Sequence, residues 1–445
     1  MENNILIELV NANNFTSLKE YLLSFDEVDI AKEIETIDTP DVLVKVFRLL
    51  KKDIAAEVFT YLNSDIQQHI IEAISEQELN SMMDEFYTDD AVDIIESMPA
   101  NVVNRLLRAV KPEKREEINR FLGYSEKTAG SLMTSEYLNL KANMTIEESF
   151  ARIKRLAENI ETINTCYVTD NKKTLIGEIS IKNLIMADSN ALVREIMKTN
   201  IISVSVDTEQ EEVSSLFKKY NKNEIPVVDT ENRIVGIITV DDVIDVIEED
   251  TTEDLQIMAG ITPNQYSYLQ NSAYKHAKTR ITWLTLLMIS AIFTGFLLQN
   301  FEGILSSEIV LVSFLPLLMG MAGNCGSQSS ILMIRGISLN EISMKDYFKI
   351  FFKEAKISIY IGLFLAIFNF LRVWIQYSNI TLALIIALTI CLIVLISNII
   401  GFSMPFIAKK LKLDPAVMAA PIITTLLDCL VILIYFSIAS SFLTL

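Results

Sequence analysis

Five apolar stretches fill the last third of the chain, at roughly residues 281–298, 309–334, 357–375, 380–407 and 416–443. Each is near or above the ~20 residues that cross a hydrocarbon core about 30 Å thick. Five such stretches in succession read as membrane helices rather than as buried core. The basic residues set their direction. Lys275, Lys278 and Arg280 precede the first stretch. Arg335, Lys345, Lys349, Lys353 and Lys356 lie between the second and third, and Lys409, Lys410 and Lys412 between the fourth and fifth. All fall on the side of the N-terminal half, which is therefore expected to be cytoplasmic, with the C-terminus outside. The opposite loops are short, and the first holds Glu302 and Glu308. The expectation is a multi-pass protein of the cell membrane. An odd number of helices does not make a symmetric pore in one chain, so a homodimer with the pore on its twofold axis is expected.

Charge divides the chain in the same place. Residues 281–445 hold nine Lys/Arg and seven Asp/Glu, whereas residues 1–280 hold 29 and 50, a net of −21. Nearly all the acidity is outside the membrane part. That excludes nucleic acid as a natural partner, because phosphate backbones need positive charge, and it suits cations. With 445 residues, two or more domains are expected. Cys166, Cys325, Cys391 and Cys429 stand singly, with no C-x-x-C spacing, so neither a zinc site nor a disulfide framework is indicated. The start, "MENNILIELV", lacks the basic segment and apolar core of a secretory signal.

Asp428 is the one acid that this reading leaves deep in a membrane helix. Insertion scales charge roughly 2.5–3.5 kcal/mol for such a residue at mid-helix. Either it is hydrogen-bonded in helix packing, or it faces a wet interior and holds a cation. The second stretch carries "FLPLLMGMAGNCGSQSS" (residues 314–330). Gly320, Gly323 and Gly326 strip side chains from one face, which allows close helix packing or leaves carbonyls reachable by an ion. Asn324, Ser327, Gln328, Ser329 and Ser330 add a polar cluster at membrane depth.

The N-terminal half contains two duplications. "TCYVTDNKKTLIGEISIKNLI" (residues 165–185) matches "EIPVVDTENRIVGIITVDDVI" (residues 224–244), aligning Asp170 with Asp229 and Gly177 with Gly236 at a spacing of 59. Each unit reads strand, amphipathic helix, strand, turn, strand, helix. This resembles a tandem pair of CBS domains, an α/β module that often binds adenine nucleotides. The family's ribose-contacting Ser/Thr-x-x-Asp is matched by Thr239 and Asp242, whereas Ser180 is followed by Asn183. The resemblance thus implies one intact nucleotide site, with ATP as the candidate ligand. Upstream, "AAEVFTYLNSDIQQHIIEAI" (residues 55–74) matches "AVDIIESMPANVVNRLLRAV" (residues 91–110) at an offset of 36. That period reads as an all-α helical repeat. Glu57 is the repeat partner of Asp93, and Asp89 lies one helical turn before Asp93.

The densest charge is in "DDVIDVIEEDTTEDLQIMAG" (residues 241–260). Asp241, Asp242, Asp245, Glu248, Glu249, Asp250, Glu253 and Asp254 put eight acids in fourteen residues, and no Lys or Arg occurs from Ile234 to Tyr274. At helical spacings these carboxylates repel. Hard divalent cations, which take carboxylate oxygens, would relieve that repulsion; a merely solvated acidic face is the plainer reading.

Together these features resemble the MgtE family of magnesium channels, most specifically in "EKTAGSLM" (residues 126–133), "PLLMGMAGNCGSQS" (residues 316–329) and "DPAVMAAPIITTLLD" (residues 414–428). The resemblance implies a multidomain chain: an acidic helical-repeat domain over residues 1–130, tandem CBS domains over 131–248 (131–197 and 198–248), a connecting plug helix over 249–280 and a five-helix pore domain over 281–445. It implies a Mg²⁺-selective homodimer in which the second and fifth membrane helices line the pore through Gly320, Gly323, Asn324, Ser327, Gln328, Thr424 and Thr425. Asp428 of both subunits would hold a largely hydrated Mg²⁺. Glu57, Asp89 and Asp93 would face Asp242, Asp245, Asp250, Glu253 and Asp254 across cytosolic Mg²⁺, and Asp414 would meet the plug, closing the pore when Mg²⁺ is plentiful. The sequence departs from the family at Cys325, Ser327 and Asn221. The competing readings are a transporter of Co²⁺ or Mn²⁺ and a nucleotide-sensing membrane receptor that transports nothing. Only two His, His69 and His276, and no His or Cys cluster argue against softer metals. No nucleophile–base pair, phosphate loop or HExxH motif points to an enzyme.

Overall fold

In the computed structural model, the described residues are 6, 8–10, 12, 14–37, 39–264, 268, 272–303, 308–339, 341–418 and 420–443. The chain divides into two compact units, Met1–Ile247 and Glu248–Leu445.

The first unit opens with an array of short helices. From Pro40–Phe47 through Lys52–Thr60, Ser64–Ala73, Glu76–Met83, Thr88–Ser97 and Ala100–Ala109 to Pro112–Phe121, each helix starts 12 residues after the last. Helices of 8–10 residues are marginal alone in water, so packing has to hold them. The core residues keep the same step: Val46, Val58, Ile70, Met82, Ile94, Leu106 and Ile118 are all buried. The period of 36 read from sequence is therefore three helices of 12. Local signals punctuate the array. Asn63 caps its helix by accepting from the Ile66 amide at 3.1 Å, Ser75 and Glu78 form a reciprocal capping box, and Pro40 and Pro112 open theirs.

Two three-stranded sheets follow, built from β1 (Asn139–Lys141), β2 (Thr165–Thr169) and β3 (Leu175–Ser180), and from β4 (Val204–Ser205), β5 (Glu224–Val228) and β6 (Ile234–Thr239). In each, the first pair is parallel and the second antiparallel. The registers repeat: Thr165 faces Ser180 and Glu224 faces Thr239, and both hairpins carry an irregularity one strand residue before the turn. The aligned Asp170 and Asp229 make those turns. The Oδ1 of Asp170 accepts from the amides of Lys172 (2.8 Å) and Thr174 (2.9 Å), and that of Asp229 from Glu231 (2.9 Å) and Arg233 (2.9 Å). These amides hold the Asp170 carboxyl below its ordinary range. One hydrophobic core runs from the helical array into the second sheet, joining Phe59, Phe86 and Phe121 with Phe217, Ile225 and Ile238.

The second unit holds the five membrane helices: Ala273–Gln299, Leu315–Ser338 (after a 3₁₀ turn, Ile309–Phe314), Tyr347–Tyr377, Ile380–Lys410 and Ala420–Leu443. Two expectations change here. Residues 249–280 are not one plug helix. The acidic helix runs Val240–Met258 and starts directly from β6. It ends at Gly260, whose φ of +69° favours glycine. A new helix, capped by Ser272, starts at Ala273 and continues into the membrane. The third helix also starts ten residues before the apolar window. Lys353 and Lys356, which depress hydropathy there, are exposed, while Glu354 between them is buried. Asp428 is thus not the only acid inside the bundle.

Candidate functional site

Within the first unit six carboxylates gather. Asp89 and Asp90 occupy the first turn of the Thr88–Ser97 helix, and Asp241 and Asp242 the first turn of Val240–Met258, where helix dipoles favour negative charge. Glu136 accepts from the hydroxyls of Thr88 (2.7 Å), Thr134 (2.8 Å) and Ser135 (3.0 Å), which fixes it beside the Thr88 helix start. Glu161 completes the group. Burial pushes Glu161 up to about 8, with Asp242, Asp90, Asp241 and Glu136 adding to it. Burial, then Asp242 and Glu136, push Asp90 up to about 6. Burial raises Asp242 to about 6, with Asp241 and Asp245 adding to it and the Thr239 hydroxyl opposing. Asp89 rises well above the carboxylate range through burial and its neighbours Asp90, Asp242 and Glu161. The Oδ1 of Asp89 and the Oε2 of Glu161 are shut from solvent with no hydrogen-bond partner.

The near cation is Lys114. Its ammonium is turned onto the carbonyls of Met83 (2.9 Å) and Phe86, and burial lowers its pKa. The site therefore carries uncompensated negative charge. Among the described residues no three Asp, Glu, His or Cys side chains converge into a ready metal shell. Orphaned buried oxygens in an open, all-carboxylate set fit a hard divalent cation that keeps part of its water. They do not fit a soft metal.

The folded-state pKa values are raised, so the stability these groups allow is full below about pH 4.5. It is lost as pH rises through about 6 and then about 8, as each carboxylate must ionise in place. With a chelator, the melting temperature of the full chain in detergent should fall from about pH 5.5 to about pH 8.5. A divalent cation should remove most of the fall, and Glu161→Gln should flatten its upper part. A melting temperature indifferent to pH and chelator would refute this account.

Of the residues singled out from sequence, Asp89 and Asp242 meet, and Asp245 lends charge to Asp242. Glu57 is exposed and sits instead with Glu27 and Asp53; burial and those two raise its pKa. Asp93 lies one turn beyond Asp89 on the same helix. Asp250, Glu253 and Asp254 are on the acidic helix within the second unit. Asp414 accepts from the Ala416 amide at 2.7 Å and starts the 3₁₀ turn Pro415–Met418. Thr239 donates to Asp242 at 2.6 Å, so the nucleotide element serves here as a helix cap. Sequence reasoning did not assign Asp90, Glu136, Glu161 or Asp241. Asp90 and Asp241 adjoin assigned acids, but Glu136 and Glu161 stand outside any acidic run and carry no signal.

Within the second unit, the second and fifth membrane helices meet along a glycine seam. A side chain at Gly323 would lie 2.9 Å from the Thr424 methyl, and one at Gly326 would strike Leu427 and Ile423. Gly323 therefore packs directly on Thr424. The exposed face of the second helix is Gly320, Asn324 and Gln328, one per turn, with Ser327 half-buried beside them. Thr424 and Thr425 both donate to the Pro421 carbonyl, at 3.0 and 2.9 Å. Asp428 is half-buried, and among the described residues no side chain hydrogen-bonds its carboxylate. Its neighbour Cys429 contacts the Thr294 hydroxyl at 3.3 Å, which docks the fifth helix on the first.

Helical array, paired α/β repeats and five membrane helices define a multi-pass membrane protein with a large N-terminal part outside the membrane helices on the same chain. Comparison with known proteins sharpens that class. Residues 315–438 match the family described as "Divalent cation transporter", residues 25–127 the MgtE intracellular N domain and residues 193–249 the CBS domain. The chain is 35% identical over 350 residues to the magnesium transporter MgtE of Thermus thermophilus, covering 79% of this chain and 78% of that one. It is 32% identical over 373 residues to the magnesium transporter MgtE of Bacillus subtilis, covering 84% and 82%. A crystal structure of the cytosolic domain of the Mg²⁺ channel MgtE in complex with ATP matches with a TM-score of 0.52 and 35% identity, covering 55% of this chain and 99% of that one. The chain belongs to the MgtE family.

Proposed function

We propose that this chain carries Mg²⁺ into the cell as a homodimer, and that cytosolic Mg²⁺ closes it. The observation that carries the reading is the pairing of a polar, exposed second-helix face with an Asp428 that no side chain among the described residues satisfies. Polar groups at that depth need water or a second copy of the chain. Two Asp428 carboxylates on a twofold axis would hold a hydrated cation through its water shell, which suits an ion that dehydrates reluctantly.

On this reading residues 1–130, 131–248 and 249–280 sense the ion and residues 281–445 conduct it, with the N-terminal half cytoplasmic and the C-terminus outside. The carboxylate group formed by Asp89, Asp90, Glu136, Glu161, Asp241 and Asp242 is the sensor. Mg²⁺ bridging it favours the closed arrangement by its difference in affinity between states. Asp245, Asp250, Glu253, Asp254 and Asp414 belong to the same control. ATP at the second CBS repeat would compete for Asp242, since ribose and cation both call on that carboxylate. Uptake by proteoliposomes in the presence of Mg²⁺, Mn²⁺ or Co²⁺ tests the cargo. Preference for Co²⁺ or Mn²⁺ would reassign it, and ATP binding with no cation flux would make the protein a receptor.

A further inference from the structure

Glu354 is 6% exposed inside the bundle, and its carboxylate has no ion-pair partner among the described residues. Its helix turns one stripe inward, with Ile350, Glu354, Ser358, Gly362 and Ala366 buried at successive turns, while Lys353 and Lys356 point out. Chain geometry therefore puts this acid in a place where an apolar side chain would cost less.

What it does there is legible in its bonds. The Ser329 hydroxyl, on the second helix, donates to the Glu354 Oε2 at 3.0 Å. One turn along the third helix, Ser358 donates to the Glu354 carbonyl at 2.7 Å and receives the Asn398 amide of the fourth helix at 2.9 Å. Ser329, Ser358 and Asn398 are all buried. The next residue of the second helix, Ser330, donates to the Met418 carbonyl at 3.3 Å, in the turn that feeds the fifth helix. Consecutive helical residues point about 100° apart. The second helix is thus tethered in two divergent directions, to the third helix by Ser329 and towards the fifth by Ser330. The face left open holds Asn324 and Gln328. At Gly326 the second helix also touches Gly401 of the fourth backbone to backbone, a close approach that adds to the same orientation.

We propose that Glu354 is a positioning residue of the conduction path. Its carboxylate holds Ser329 and so fixes the roll of the second membrane helix, keeping Asn324 and Gln328 on the ion-facing side. This rests on the transport reading above. A carboxylate suits the task because it only accepts, and charge-assisted hydrogen bonds are the stronger kind.

The test uses the full chain in proteoliposomes. An interhelical hydrogen bond of this sort corresponds to roughly a tenfold effect. Glu354→Ala and Ser329→Ala should each lower Mg²⁺ uptake about tenfold and weaken the preference for Mg²⁺ over Mn²⁺. The double variant should be no worse than either, since both remove one contact. Glu354→Gln keeps an acceptor oxygen and should stay within about twofold of the parent. A second readout does not depend on flux. In a chain whose four native cysteines are replaced by Ala, Asn324→Cys should react with a water-soluble thiol reagent, and adding Glu354→Ala should suppress the reaction. Should Glu354→Ala fail to fold, Ser329→Ala and Glu354→Gln still decide the matter. Unchanged uptake and labelling in Ser329→Ala, additive losses, or a Glu354→Gln as inactive as Glu354→Ala would overturn the proposal, the last because it would make the charge itself the functional element. Absence of Mg²⁺ uptake by the parent chain would sink the transport reading, and the labelling result would still judge Glu354.

Discussion

Asp428→Ala should abolish Mg²⁺ entry into proteoliposomes that the parent chain supports, by at least about tenfold, the change that roughly 1.4 kcal/mol of lost stabilisation produces. Asp428→Asn should be nearly as poor, because a hydrated ion is held through charge more than through shape. The reason lies in the company the residue keeps. Leu427 beside it is buried and Cys429 is docked on Thr294, so the helix is anchored on both sides of Asp428 while the carboxylate meets no donor among the described residues. If both variants passed Mg²⁺ at the parent rate, Asp428 would be a packing residue, and the ion would have to be held by the Asn324 and Gln328 face.

The second large effect concerns control. Replacing Asp242, Asp245, Asp250 and Asp254 together by Ala should leave uptake active at internal Mg²⁺ that silences the parent, moving the inhibitory concentration by about tenfold or more, within the usual span of coupling between sites. On the proposed reading, repulsion among buried carboxylates keeps the sensor apart, and a bound cation relieves it. Replacing Asp242 and Asp245 takes away two contributors to that repulsion, and replacing Asp250 and Asp254 thins the acidic run that continues along the same helix. Basal uptake at low Mg²⁺ should persist. Inhibition at the parent concentration would exclude the acidic helix as the sensor.

Much of this architecture was legible in the residues. Periodicity and length announced five membrane helices, and the 59-residue duplication announced two equivalent sheets down to the paired turn aspartates. Asp89 and Asp242, which the family resemblance named, lie close to each other in the fold. What escaped had a physical cause in each case. Glu354 escaped because two neighbouring lysines hid the start of its helix from any hydropathy window, although they face the other way. Glu136 and Glu161 escaped because they reach the acidic group through tertiary contacts alone, from segments with no charge pattern. At Gly323, which the resemblance puts in the lining, a glycine face serves packing and access equally well in sequence, so its close contact with the Thr424 methyl carried no signal. The stop of the acidic helix was legible in Gly260 followed by Pro263, and the left-handed backbone at Gly260 makes the break plain.

The 12-residue step of the N-terminal array has a bearing on how such a region can change. Each helix and its turn form one word of fixed length, and Val46, Val58, Ile70, Met82, Ile94, Leu106 and Ile118 are the same letter in seven consecutive words. Adding or deleting a whole word leaves every later helix facing inward, whereas losing one residue inside a helix turns the rest of that helix by about 100° and draws its core letter out of the interior. The array has a reading frame at the level of structure. Evolution can lengthen or shorten the arm that presents Asp89 and Asp90 only in units of twelve.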